Sequence, residues 1–125
     1  MSSAVDIEKV FGEGGLLTHY VDGFRRRPEQ EEMARAVLNA AETGRNLICE
    51  AGTGVGKSLA YIIPLLDWAL REKKRIIIST YTKLLQHQII ESDLRTASKV
   101  LDGDFRYLLC LGSENYLCKR RLDRL

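Results

Sequence analysis

The glycine-rich run at residues 51–58, Ala-Gly-Thr-Gly-Val-Gly-Lys-Ser, constrains the fold of this chain more than any other feature. A short apolar run precedes it at residues 47–49, and a long apolar segment follows it at residues 59–70. Glycines let backbone N–H groups turn toward an anion, and the N-terminus of the following helix adds about half a positive charge. Lys57 could then reach the β- and γ-phosphates of a nucleotide, and the Ser58 hydroxyl could bind Mg²⁺. This arrangement favours a phosphate-binding loop over a glycine-rich turn that binds nothing.

The order of apolar segments around this loop predicts an α/β fold. Residues 47–49, 75–78 and 105–111 are apolar runs, typical of parallel strands that are buried on both faces. Helical periodicity predicts three helices: one begins at Pro28, one follows the loop, and one covers residues 82–101. The inner face of the last helix is predicted to hold Leu85, Ile89, Leu94, Ala97 and Leu101. Strands that alternate with helices indicate a parallel sheet flanked by helices.

Composition excludes several other classes of protein. The chain has 125 residues with a net charge of +2, which is too small to predict nucleic-acid binding by itself. No apolar run approaches the ~18 residues needed to span a bilayer, and residues 1–9 lack the basic-then-apolar layout of a signal peptide, so we expect a cytoplasmic protein. Three cysteines argue against a disulfide framework. Cys49 and Cys110 lie in apolar runs and are predicted to be buried, whereas Cys118 lies in a polar, basic tail.

Two motifs near the loop resemble helicase motifs. The general phosphate-loop pattern begins with Gly, but this chain has Ala51, and the form Ala-x-Thr-Gly-x-Gly-Lys-Ser resembles motif I of superfamily 2 helicases. Upstream, residues 27–30 (Arg-Pro-Glu-Gln) are similar to the adenine-reading Gln motif of helicases. A Gln amide can donate to and accept from one adenine edge, which fits Gln30 as the reader. The alternative is an ordinary exposed polar residue on a helix.

Two motifs follow the loop at a distance. Residues 79–82 (Ser-Thr-Tyr-Thr) are similar to motif Ia, in which hydroxyl groups and a helix N-terminus hold the phosphates of single-stranded DNA. Plain helix capping by Thr80 or Thr82 is the alternative, and both roles are compatible. Residues 112–118 (Gly-Ser-Glu-Asn-Tyr-Leu-Cys) resemble the start of the iron–sulfur segment in DinG/XPD-type helicases, although Leu111 and Ser113 replace the Lys and the Arg of that pattern.

Together these motifs resemble the DinG/XPD-type superfamily 2 ATP-dependent DNA helicases, an iron–sulfur family, over nearly the whole chain. The resemblance implies a P-loop NTPase (RecA-like) fold and an incomplete motor domain. It divides the chain into a lead-in at residues 1–24, the N-terminal part of ATP-binding domain 1 at residues 25–111, and the start of an iron–sulfur segment at residues 112–125. The chain is thus expected to be the N-terminal piece of a longer parent, without a preceding exonuclease domain.

The resemblance also implies cofactors, partners and site residues. The cofactors are ATP and Mg²⁺, with a [4Fe-4S] cluster in the parent, and the partners are nucleotide and single-stranded DNA, bound by a monomer. Lys57 is the expected catalytic residue. The expected nucleotide-binding residues are Arg27, Gln30, Ala51, Gly52, Thr53, Gly54, Val55, Gly56, Lys57 and Ser58. The expected DNA-binding residues are Ser79, Thr80, Thr82 and Gln86. The expected metal ligands are Ser58 for Mg²⁺ and Cys118 for the cluster, the alternative for Cys118 being a free surface thiol.

Two other functions stay open: a non-catalytic P-loop nucleotide-binding module and a small-molecule P-loop kinase. A kinase of that kind needs an acceptor site and an arginine-rich lid, and the sequence shows neither. ATP hydrolysis requires a carboxylate for Mg²⁺ and a base that orients water. In the helicase family these come from an Asp-Glu-x-His box, which the 125 residues lack. We therefore expect helicase activity, of 5′-to-3′ polarity by resemblance, in the parent and no turnover by this chain alone.

Overall fold

Helices dominate the part of the chain that the structure, a computed structural model, describes, namely residues 3–54 and 56–124. Its α-helices are α1 (Ile7–Phe11), α2 (Leu16–Tyr20), α3 (Pro28–Thr43), α4 (Lys57–Glu72), α5 (Lys83–Gln88), α6 (Leu94–Leu101) and α7 (Lys119–Leu122). A π-helical turn, Ile89–Asp93, joins α5 to α6, and a 3₁₀ turn covers Ser113–Asn115. Within the described residues, no helix is both long enough and apolar enough to cross a membrane.

The bounds of α3 and α4 follow from local signals. Pro28 occupies the first turn of α3, where its missing N–H costs nothing, and Gly44 ends that helix in the left-handed conformation with φ of 66°. Helix α4 runs through Pro64, although a proline inside a helix removes one backbone hydrogen bond. These two helices, each of 16 residues, pack against each other and form the centre of the structure.

The predicted helix over residues 82–101 is confirmed, with a π turn inside it. Its predicted inner residues are buried or partly buried against the core. Ile89 and Leu94 are five residues apart in sequence, whereas neighbouring residues on one face of an α-helix are three or four apart. The π turn lies at this spacing, and the Leu94 N–H donates to the Ile89 carbonyl. The extra residue therefore keeps both ends of the long helix facing the core.

The core lies between α4 and the helices around it. Its least exposed side chains come from five helices and include Phe11, Leu17, Ala34, Ile62, Ile63 and Ala97. Polar contacts tie the N-terminal arm to this core, because Asp67 in α4 accepts hydrogen bonds from the Val5 N–H (3.1 Å) and from Arg71 Nε (2.8 Å). Arg71 also bridges to Glu42 in α3 at 3.1 Å.

The predicted sheet is not confirmed. Residues 47–49, 75–78 and 105–111 are irregular, and the described part of the chain contains no strand. Apolar side chains that a sheet would bury are exposed, with Ile48 at 99%, Ile77 at 94% and Leu108 at 84%. A parallel strand exists only through hydrogen bonds to a neighbouring strand, and these runs do not form such bonds with one another. The prediction that Cys49 and Cys110 are buried is wrong for the same reason, since both are exposed.

Glu31, at the start of α3, makes the stability of the chain depend on pH. Its carboxylate accepts hydrogen bonds from Arg35 (2.7 Å) and Arg26 (3.1 Å), and the Arg35 contact in particular lowers the Glu31 pKa. A lowered pKa contributes stability that is present at neutral pH and is lost as pH falls below the ordinary glutamate range. We expect Glu31→Gln to flatten the decline of the unfolding midpoint between about pH 5 and pH 3. The exposed Glu32→Gln is the control, and an identical decline in Glu31→Gln and wild type would contradict the role of this ion pair.

Candidate functional site

The phosphate loop leads directly into the first turn of α4. Gly54 and Gly56 have φ of 76° and 78°, a left-handed conformation that glycine adopts without strain. Gly56 is the N-cap of α4 and supplies no side-chain cap, so the first N–H groups of the helix point toward the loop without a side-chain partner. Lys57 is exposed and Ser58 is half-buried. The start of α4 therefore presents backbone donors, a cation and a hydroxyl, which together suit a phosphate group accompanied by Mg²⁺.

The other predicted nucleotide-binding residues surround this turn or precede α3. Gly52 and Thr53 are exposed, Ala51 is half-buried, and Val55 lies outside the described residues. Arg27 is the N-cap of α3, and its carbonyl accepts the N–H groups of Gln30 (3.0 Å) and Glu31 (3.2 Å).

Gln30 joins α3 to the phosphate loop. Its side chain is 1% exposed, and its Nε2 donates to the Gly56 carbonyl at 2.9 Å. The alternative of an ordinary exposed residue is therefore wrong. The buried Oε1 atom has no hydrogen-bond donor in the described part of the chain. Adenine reading by Gln30 stays a prediction, and in this structure the amide donor contacts the loop.

The close approach of Gln30 adds to the preference for glycine at residue 56, which the left-handed backbone conformation already favours. A Cβ atom at this position would overlap Gln30 Nε2, whereas a Cβ atom at Gly54 would meet nothing within 4 Å. Either Gly→Ala change places alanine in the left-handed region, at a cost of about 1–2 kcal/mol. We expect Gly56→Ala to cost more in the free energy of unfolding, measured in urea, and Gln30→Ala to relieve the excess in the double variant. Equal costs for Gly54→Ala and Gly56→Ala would show that the contact does not constrain the loop.

A buried carboxylate, which the sequence motifs do not single out, lies in the π turn before α6. Asp93, from the π turn, is 6% exposed, and burial raises its pKa, while hydrogen bonds from Gln88 and Ser58 act in the opposite direction. Burial also raises the pKa of Tyr61, while Ser58 acts to lower it. A signal was present in the sequence, because Asp93 lies four residues from Ile89 and from Ala97, which puts an acidic residue on the apolar face.

The predicted DNA-binding residues lie around the start of α5. Thr82 is its N-cap, and the Thr82 hydroxyl accepts a hydrogen bond from the Leu85 N–H at 3.2 Å, so capping is confirmed for Thr82. The Thr80 hydroxyl donates to the Thr82 carbonyl at 3.4 Å. Ser79 is exposed and Gln86 is half-buried. DNA binding by these four residues stays a prediction.

Comparison with known proteins identifies the family. The family described as DEAD/DEAH box helicase matches residues 27–121, which include Gln30, the phosphate loop and the start of α5. This chain belongs to the DEAD/DEAH box helicase family. Membership implies a P-loop NTPase fold, in agreement with the conformation of Gly54 and Gly56 and the start of α4 at Lys57. No solved structure shows a significant match to the chain.

The relatives of this chain include bacterial helicases and a protein named 3′-5′ exonuclease DinG. The chain is 46% identical over 114 residues to the ATP-dependent DNA helicase YoaA of Escherichia coli (strain K12), covering 91% of this chain and 17% of that protein. It is 40% identical over 104 residues to the ATP-dependent helicase DinG of Mycobacterium tuberculosis (strain ATCC 25618 / H37Rv), covering 80% and 16%. It is 32% identical over 114 residues to the 3′-5′ exonuclease DinG of Bacillus subtilis (strain 168), covering 91% and 12%. The chain thus spans less than a fifth of the length of these relatives.

Residues 112–118, which resemble the start of an iron–sulfur domain, are joined to α5 by a hydrogen bond. Lys83 Nζ donates to Asn115 Oδ1 at 2.7 Å, and the Tyr116 hydroxyl accepts the Leu111 N–H at 2.9 Å. Cys118 follows as the exposed N-cap of α7. Among the described residues, no three His, Cys, Asp or Glu side chains form a group that could hold a metal ion. These residues therefore do not make a cluster site by themselves, and Cys118 offers a single thiol.

Proposed function

We propose that this chain is the ATP-binding part of motor domain 1 in a longer DinG-type ATP-dependent DNA helicase, called the parent helicase below. The observation that carries the proposal is the uncapped N-terminus of α4 behind the glycine loop, in a chain that is 46% identical to a protein named ATP-dependent DNA helicase YoaA. The family match argues against a small-molecule kinase. A role in DNA repair or replication, a 5′-to-3′ polarity, a cytoplasmic location and a monomeric state stay predictions.

Different groups of the loop and of the start of α4 are proposed to bind the phosphates and Mg²⁺. The backbone N–H groups at the start of α4 and the Lys57 ammonium group hold the phosphates, and the Ser58 hydroxyl is the ligand that this chain offers to Mg²⁺. Bound Mg²⁺ neutralises charge that develops on the transferred phosphoryl group. The 125 residues contain no Asp-Glu-x-His box, so we propose that this chain binds nucleotide and does not turn it over alone.

Gln30 is proposed to recognise the adenine base of the bound nucleotide. Support comes from its place between α3 and the loop and from its buried Oε1, an acceptor without a donor in the described residues. A side-chain rotation that breaks the 2.9 Å contact to the Gly56 carbonyl would free the Gln30 amide N–H and C=O to bind an adenine edge. We expect Gln30→Ala to weaken ATP binding by roughly 1–3 kcal/mol, with a smaller effect on GTP. Equal losses for ATP and GTP would mean that Gln30 supports the loop only.

Single-stranded DNA is proposed to lie across the start of α5. The exposed Ser79 and the hydroxyl-bearing Thr80 and Thr82 suit phosphate oxygens, which such groups bind without reading the bases. Thr82 can cap the helix through its oxygen and still donate its proton to a phosphate.

The runs at residues 47–49, 75–78 and 105–111 are proposed to form the parallel sheet of this fold in the parent helicase. Support comes from Ile48, Ile77 and Leu108, which are among the most exposed apolar side chains of the chain. Burial of an aliphatic side chain of this size contributes about 1.5–3 kcal/mol, which favours strand pairing once neighbouring strands are present. Slow amide hydrogen exchange in these runs in the parent helicase is expected.

Strand separation tests the proposed function. The parent helicase, mixed with a labelled duplex that carries a single-stranded tail, should release the labelled strand with ATP and Mg²⁺. It should not do so with a non-hydrolysable ATP analogue. Reversing the polarity of the tail tests the 5′-to-3′ direction in the same assay. No strand release on either tail, by protein that binds ATP, would favour the alternative of a non-catalytic nucleotide-binding module.

A further inference from the structure

The Lys83 side chain, at the first residue of α5, is hydrogen-bonded to a residue 32 positions further along the chain. Its Nζ donates to Asn115 Oδ1 at 2.7 Å, and both residues are exposed. Lys83 directly follows Thr82, one of the hydroxyl-bearing residues proposed to hold DNA phosphates. The hydrogen bond therefore joins the predicted DNA-binding segment at residues 79–82 to the segment at residues 112–118.

The Asn115 amide is held in one orientation by its own segment. Its Nδ2 donates to the Gly112 carbonyl at 3.2 Å and to Glu114 Oε1 at 3.2 Å. An ammonium group has only hydrogen-bond donors, so the remaining amide atom, the acceptor Oδ1, is the one that faces Lys83. The acceptor that holds Lys83 is thus directed toward it by two further hydrogen bonds.

Lys83 keeps its full positive charge in this contact. Asn115 is neutral, and no carboxylate in the described part of the chain lies within ion-pair distance of the Lys83 ammonium group. By contrast, Arg26, Arg35 and Arg71 are each paired with a carboxylate. A lysine ammonium group has three donors, and the hydrogen bond to Asn115 uses one of them. Two donors, and a charge that no described residue compensates, are left for an anion.

We propose that Lys83 binds a phosphate of single-stranded DNA and that Asn115 is the positioning residue that holds the Lys83 ammonium group in place. The inference rests on the proposed function, since it adds a cation to the DNA path across residues 79–82. A neutral partner suits this role, because it restricts the long lysine side chain without neutralising it. Hydroxyl groups supply hydrogen bonds only, whereas a cation also releases counterions from the DNA and so adds affinity.

The test measures binding of a fluorescein-labelled oligothymidylate to the parent helicase by anisotropy, without nucleotide, over a range of salt concentrations. Each phosphate contact on a single strand contributes about −0.7 to the slope of log K against log salt concentration. Lys83→Met should make the slope shallower by this amount, so that binding is about fivefold weaker at about 0.1 M salt and equal to wild type near about 1 M. Lys99→Met is the matched control, because Lys99 is exposed in the last turn of α6, and it should keep the wild-type slope.

Two changes at Asn115 separate a positioned cation from a contact that only anchors the segment. Asn115→Asp keeps the contact but places a carboxylate against Lys83, so it should lower the slope and the affinity as Lys83→Met does. Asn115→Ala leaves the charge and frees the side chain, so the slope should persist while binding weakens about two- to tenfold, the cost of ordering one long side chain. The loss caused by Asn115→Asp should disappear in the Lys83→Met background, because both changes remove one interaction.

A wild-type salt slope in Lys83→Met, or an unchanged affinity in Asn115→Asp, would overturn this inference while the wild-type parent still binds DNA. Persistence of the Asn115→Asp loss in the double variant would show direct repulsion of DNA and would contradict the positioning role. Should Lys83→Met not fold, Lys83→Gln takes its place with the same expectation. Failure of the wild-type parent to bind the oligothymidylate at any salt concentration would overturn the proposed DNA binding and this inference together.

Discussion

Lys57→Ala is expected to lower ATP hydrolysis by the parent helicase about 100- to 1000-fold, the loss typical of a single charge-stabilising donor. Lys57 is exposed at the first residue of α4, so its removal takes away little packing. The lost interaction is the one between its ammonium group and phosphate oxygens whose charge develops in the transition state. The unfolding midpoint should therefore stay near that of wild type while kcat falls.

Lys74→Ala provides the control for Lys57→Ala. Lys74 is also exposed and lies just beyond the opposite end of α4, far along the helix from the phosphate loop. Steady-state kinetics of both variants separate loss of a phosphate contact from general loss of positive charge. Near-normal turnover in purified Lys57→Ala would contradict the assignment of the loop.

Cys118→Ser is expected to remove iron from the parent helicase and to abolish strand separation while sparing ATP binding. We propose that Cys118 supplies one of four thiolates to a [4Fe-4S] cluster, the other three coming from beyond these 125 residues. Lys119, Arg120 and Arg121 follow directly and are exposed, so they can offset the negative charge of a thiolate-bound cluster. The phosphate loop does not contain Cys118, which is why nucleotide affinity should persist.

Cys49→Ser and Cys110→Ser are the controls, because each removes a thiol that lies outside the segment that resembles the start of an iron–sulfur domain. Iron content per protein and the visible absorbance of the cluster are the direct readouts. The control variants should keep both. If Cys118→Ser retains its iron and its unwinding rate, Cys118 is a free surface thiol.

Much of the helical part of this chain could be predicted because its signals are local. Pro28 at the first turn of α3 and Gly44 in the left-handed region fix that helix without reference to the rest of the molecule. Helical periodicity likewise predicted the continuous helix over residues 82–101. The π turn lies at the five-residue spacing between Ile89 and Leu94. Apolar residues on one face of an α-helix are three or four residues apart, so α-helical periodicity alone does not predict this turn.

The features that the sequence did not predict depend on contacts between distant residues. The three apolar runs resemble strands, yet strand formation requires partners, and here Ile48 and Ile77 are left exposed. The contact of Gln30 with the Gly56 carbonyl joins residues that are 26 apart. Asp93 became recognisable as a buried carboxylate only in the folded chain, where it is 6% exposed. The nucleotide-binding role of the motif residues therefore stays a prediction, and the contact between Gln30 and the loop could be identified only in the folded chain.

The rate of ATP hydrolysis by the parent helicase, measured as single-stranded DNA is titrated, tests the helicase assignment most directly. Lys57→Ala and the isolated 125-residue chain are measured in parallel. The rate should rise with DNA and saturate for the wild-type parent, and it should stay at background for Lys57→Ala and for the isolated chain. A wild-type rate that does not respond to DNA, or sustained turnover by the isolated chain, would contradict the assignment.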